Sequence, residues 1–174
     1  MRLVSLITSL VFLASCGVIH ASQVMPRPES LARVVARADT IVVVRVSKAK
    51  NRAIKVPLRG GGQPFVRQQN PWEVTRVLRG DSTLVGQTIY VDVYDWGFNV
   101  AMVETLRQHG PTPSKEVPSY QSLAKKPPEM AEPRILFLRK ESDDAYEPAV
   151  MDAVESVRFL DQVRAAIGAL PPKR

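Results

Sequence analysis

The chain contains one cysteine and two histidines in 174 residues. A single thiol excludes any disulfide within the chain, so the fold has to stand on its buried core. His20 lies in the leader region, which leaves a zinc site or a Ser-His-Asp triad resting on His109 alone, with no second nitrogen ligand near it. Gly-x-Ser-x-Gly, His-Glu-x-x-His, phosphate-loop and dinucleotide patterns are all missing. These gaps point away from an enzyme, a metal and a cofactor. Acid is missing from one long stretch: between Thr40 and Trp72 stand Arg45, Lys48, Lys50, Arg52, Lys55, Arg59 and Arg67, with no Asp or Glu among them. Charge is also nearly absent from the start, where Arg2 is the only charged residue before Arg27.

That start carries the clearest signal. Arg2 precedes an apolar run from Leu3 to Leu13 that has the length of a signal-peptide core and is too short to span a bilayer. The run ends in Leu13-Ala14-Ser15-Cys16, which resembles the bacterial lipobox, in which the signal is cut before a cysteine that is then acylated. On this reading residues 1–15 are the signal, Cys16 is the lipidated first residue, residues 16–28 are a linker and residues 29–170 are one domain. Gly17, rather than an inner-membrane-retaining Asp, points to outer-membrane sorting. An ordinary signal-peptidase site after Ala21 is the alternative, and would release a soluble periplasmic or secreted protein.

Removing Arg2 with the signal leaves 23 basic against 17 acidic residues, a net charge of +6. The acid-free stretch reads as a basic surface able to hold an anionic partner. An exported chain rarely meets nucleic acid, and the stretch lacks the interleaved aromatics of a single-strand binder. Lipid head groups, lipopolysaccharide phosphates or an acidic partner protein fit better, with a solvated hairpin as the plainer reading.

Ser30 and the spacing of Leu31, Val34, Val35 and Ala38 predict a short helix, and Thr40–Val46 a central strand. The basic stretch around Gly60-Gly61-Gly62 reads as a hairpin or loop. Trp72–Arg79 and the alternation of Ile89, Val91 and Val93 predict two paired strands around the Gly80-Asp81 turn. Residues 96–133, with six prolines, read as an insertion with no strong strand. Arg134–Arg139 and Tyr146–Val150 predict further strands. Asp152 and Glu155 have capping-box spacing ahead of a last helix whose apolar face is Val154, Val157, Leu160, Val163 and Ile167.

Trp72, Tyr90, Tyr94 and Trp96 are the candidate ligand-facing aromatics, since rings stack on sugars. Asp92 falls on the Tyr90 face and Asp95 on the other, so the two carboxylates do not converge as a glycosidase pair. Glu141, Asp143, Asp144 and Glu147 form an acidic turn that lacks the glycine of a common calcium loop.

The order of helix, a strand ending in Val44-Arg45-Val46, the turn Val77-Leu78-Arg79-Gly80, and the strand Arg134-Ile135-Leu136-Phe137-Leu138 resembles a bacterial version of the netrin-like barrel. That group includes the tissue inhibitors of metalloproteinases and many exported bacterial proteins, and the likeness covers residues 38–150. It implies a mainly β, small oligonucleotide/oligosaccharide-type (OB-type) barrel, here with flanking helices, a C-terminal amphipathic helix and the Pro-rich insertion. The family's inhibitory activity needs a free amino-terminal cysteine amine to chelate a protease zinc. Acylation of Cys16 would block that amine, so this activity is not carried over. The reading is a non-enzymatic binding or scaffold module anchored at the envelope. The alternative is a soluble exported inhibitor or immunity-type protein that plugs a partner enzyme with a loop such as residues 59–70.

Overall fold

The computed structural model describes residues 24–56, 65–92, 115–124, 129 and 131–171. In chain order they form β1 (Val24–Glu29), α1 (Leu31–Arg37), β2 (Thr40–Val46), β3 (Arg52–Val56), β4 (Phe65–Arg79), β5 (Thr88–Asp92), β6 (Lys115–Tyr120), β7 (Arg134–Lys140), β8 (Ala145–Pro148), β9 (Val154–Ser156) and α2 (Leu160–Gly168). Cys16, His20, Arg59, Tyr94, Asp95, Trp96 and His109 lie outside the described residues.

Because β2 pairs with both β4 and β7, the strands β2, β4, β5, β8 and β7 close into a five-stranded barrel. The β5–β8 seam is parallel and the other four are antiparallel. Closure removes the long unpaired edges that an open sheet of these strands would present.

The two most apolar strands are buried on both faces, which explains why they read as continuous runs rather than alternations. On β2, Val42 and Val44 point into the barrel, where they meet Val74, Ile89, Val91, Leu136, Leu138 and Tyr146. Ile41 and Val43 point outward and, with Ile135 and Phe137 of β7, form a second core under the helices. Val34 and Val35 of α1 and Val163 of α2 close that outer layer. Ser30 caps α1 by accepting from the Arg33 amide, as its sequence signature implies.

β4 is a 15-residue strand, longer than the Trp72–Arg79 expected, because one of its edges serves two partners in succession, β3 and then β2. Trp72–Arg79 lies along β2, Phe65–Gln69 pairs with β3, and Gln69–Glu73 pairs with β5 on the other side. Gly80 ends the strand at φ +108°, where a Cβ would come within 3.1 Å of the Thr40 hydroxyl. Leu84, in the turn that follows, is buried in the barrel core.

Four expectations need correction. The linker ends in a strand: β1 starts at Val24 and runs parallel to β6, which itself lies inside the segment read as strandless insertion. The pair is held to the barrel through the Met151 backbone, whose carbonyl accepts from the Tyr120 amide and whose amide donates to Pro118. The last helix starts only at Leu160, since Val154–Ser156 takes the free edge of β7 as β9. The capping box does not form: Asp152 sits in a left-handed turn at φ 56°, and Glu155 is fully buried.

Candidate functional site

β4, β5 and β7 bring polar side chains to both faces of one barrel wall. Adjacent positions on a strand point to opposite faces, so register decides which side each takes. Trp72 lies opposite Ile89 and Pro71 opposite Tyr90. Trp72 therefore turns into the barrel and Tyr90 outward, and the two do not form one stacking platform.

The inner side holds a cavity of about 210 Å³. Asn70 and Trp72 of β4, Val91 of β5, Arg134 and Leu136 of β7, and Asp152, Ala153 and Val154 leading into β9 contribute to its lining. The Arg134 guanidinium stands over the Trp72 ring, 4.9 Å from its centroid, and its Nη2 donates to the Glu129 carbonyl. Both side chains are almost fully buried. Burial lowers the Arg134 pKa, partly offset by the charge of Glu132. A desolvated cation over an indole face, with an amide, a carboxylate and apolar walls around them, suits a small ligand that has both an apolar face and an anionic or hydroxyl-rich edge.

The outer side is closed by the protein's own charges. Arg67, read from sequence as part of a basic surface, is buried, and its guanidinium spans two carboxylates. Its Nε donates to Asp92 at 2.7 Å, its Nη1 to Glu141 at 2.5 Å, and its Nη2 pairs with both acids. Burial works against this cation, yet the hydrogen bonds to Glu141 and Asp92 outweigh it and raise its pKa. Arg52 donates to Asp144 at 2.7 Å and lies 3.3 Å above the Tyr90 ring centroid. Tyr90 is thus capped by an arginine of the same chain. Together these pairs tie the β3–β4 hairpin to the turn between β7 and β8.

The acid-free stretch is therefore not a continuous basic surface. Arg45 pairs with Glu73 at 2.6 Å, and Arg52 and Arg67 are paired as described, whereas Lys48, Lys50 and Lys55 are exposed. The partner acids come from β4, β5 and the β7–β8 turn, up to 92 residues away, where local charge counting cannot find them. The acidic turn is likewise engaged, with Glu147 bound to Arg139 at 3.0 Å.

Arg134 and Asn70 of the inner cavity were missed. The available signal was a cation directly ahead of the apolar run Ile135-Leu136-Phe137-Leu138. Among the described residues no cluster of three or more His, Cys, Asp or Glu is placed to hold a metal, and no helix is long and apolar enough to cross a membrane. No protein-family model matches the chain, and no curated protein matches it either.

Proposed function

We propose that this chain is an exported bacterial lipoprotein, held at the outer membrane by acyl chains on Cys16, whose β-barrel is a non-enzymatic binding or scaffold module of the cell envelope. The leader and its Leu-Ala-Ser-Cys end support the export and the anchor. A closed five-stranded barrel is the architecture expected of an OB-type domain, which agrees with the netrin-like resemblance.

The observation that carries the binding reading is the cavity in which Arg134 overlies Trp72. Its lining favours an envelope component such as a sugar unit bearing a carboxylate or phosphate.

Tryptophan emission tests this, because the chain has only two tryptophans. In a Trp96→Phe background, titration with peptidoglycan fragments or lipopolysaccharide core sugars should change Trp72 emission saturably. Arg134→Met should abolish the change while the protein stays folded. A flat titration of the folded protein with both ligand sets would refute the cavity as the site.

The soluble-inhibitor alternative draws on a different feature. The β3–β4 hairpin extends past the end of β5 and exposes Ile54 and Val66, at 39% and 48%. A partner enzyme retained by the wild type and lost with Ile54→Asp would favour it.

A further inference from the structure

Glu29 ends β1 with its carboxylate fully buried, and three arginines converge on it. Arg27 reaches it at 3.1 Å, Arg37 at 3.4 Å and Arg33 at 3.6 Å. Burial would raise the Glu29 pKa, but the Arg27 hydrogen bond and the charges of Arg37 and Arg33 lower it, so the group is a carboxylate. One guanidinium suffices to neutralise one carboxylate; the other two leave the quartet at a net charge of +2. The geometry then hides the anion and displays the cations. The Glu29 side chain is 0% exposed, while those of Arg27, Arg33 and Arg37 are 49%, 71% and 44% exposed. Among the described residues, α1 presents Ala32 and Ala36 to solvent beside these arginines, and Asp39 is exposed just past its end. On the neighbouring α2, Asp161 is engaged by Arg164 at 3.6 Å.

We propose that this arginine corner is the face the domain lays on anionic phospholipid head groups, a proposal that rests on the lipid anchor at Cys16. The chain length outside the structure supports it. From Cys16 to Val24 are eight residues, a reach of at most about 29 Å. From Val24 to Glu29 along β1 is about 17 Å, less than that reach, so the tether lets the corner touch the surface. Tethering also supplies a high local concentration of membrane, so a modest attraction is enough to orient the domain. Lys48 and Lys50 lie beyond β2, which carries the chain about 20 Å away from the end of α1.

The test uses the mature chain from residue 16 with Cys16→Ser, so that it measures the surface and not the anchor. Sedimentation with phosphatidylcholine vesicles, with and without phosphatidylglycerol, reads the partitioning. Each arginine at the surface is worth roughly fivefold, so Arg27→Gln with Arg33→Gln should weaken binding to the anionic vesicles about 25-fold. The pair leaves Arg37 on Glu29, and a melting curve checks folding. Lys48→Gln with Lys50→Gln removes the same charge and should change binding less than about threefold. Equal losses in the two variants would reduce the effect to net charge and overturn the proposal. So would wild-type binding that ignores phosphatidylglycerol. If the protein is not acylated in cells yet this surface binds, the anchor reading fails and the surface stands.

Discussion

Replacing Glu155 by alanine is the most demanding test of the barrel's construction. Its carboxylate accepts from the Tyr120 hydroxyl at 2.7 Å, the Ser122 hydroxyl at 2.9 Å, the Leu123 amide at 2.7 Å and the Ser156 amide at 2.7 Å. Four hydrogen-bond donors hold this one buried side chain. In Glu155→Ala, Ser122 and Leu123 regain water at the rim, but the Tyr120 hydroxyl and the Ser156 amide stay buried without an acceptor. At about 1–3 kcal/mol for each stranded donor, the loss is roughly 2–6 kcal/mol, a large share of a typical stability of about 5–15 kcal/mol. For a domain of this size each kcal/mol moves Tm by about 2–4 °C, so the melting point should drop by roughly 4–24 °C. Thermal and urea unfolding followed by circular dichroism would measure it. Hydrogen exchange should show β6 losing protection before β2 and β7, because Glu155 clasps the segment that ends at Tyr120. A capping-box glutamate on an exposed helix would cost about 1 kcal/mol and leave β6 untouched. A loss of that size, with β6 protection unchanged, would refute the clasp.

Arg67→Met should destabilise by about 3–5 kcal/mol in urea unfolding, since it leaves Asp92 buried without its counter-ion; adding Asp92→Leu should recover much of that loss. The acid limb of stability should be steep. Glu29, Glu73 and Asp144 all have folded-state pKa values below their ordinary 4.5, 4.5 and 3.8. For Glu73 and Asp144 the leading cause is the hydrogen bond from Arg45 and from Arg52, while for Glu29 the arginines outweigh burial. A lowered carboxylate pKa contributes stability that is present above the unfolded value and lost as pH falls through the folded one. Urea midpoints should therefore hold near neutral pH and fall below about pH 4, and Asp144→Asn should flatten that fall.

The parts of this fold that sequence discloses are those whose causes are local. Ser30 followed by Leu31, Val34 and Val35 gives a cap and an apolar stripe within one helical turn of each other, and α1 forms there. β2 and β7 are unbroken apolar runs because cores press on both of their faces. What stayed hidden depends on distant partners. Val154, Val157, Leu160, Val163 and Ile167 fit a helical period throughout, but the free edge of β7 captures Val154–Ser156 and delays the helix to Leu160. Arg67 looks like surface charge until Asp92 and Glu141, 25 and 74 residues on, fold against it. Trp72 and Tyr90 look like one aromatic row, yet the pairing of β4 with β5 turns them to opposite sides. The cavity is invisible for the same reason, as its walls come from separate strands.

Export to the envelope and anchoring through Cys16 is the proposal on which the functional reading stands. Expression in a bacterial host with labelled palmitate, beside Cys16→Ser, followed by membrane fractionation and intact mass, tests it most directly. An anchored protein should show label and membrane retention that both depend on Cys16. An unlabelled soluble product beginning at Ser22 would contradict it and put the secreted inhibitor in its place.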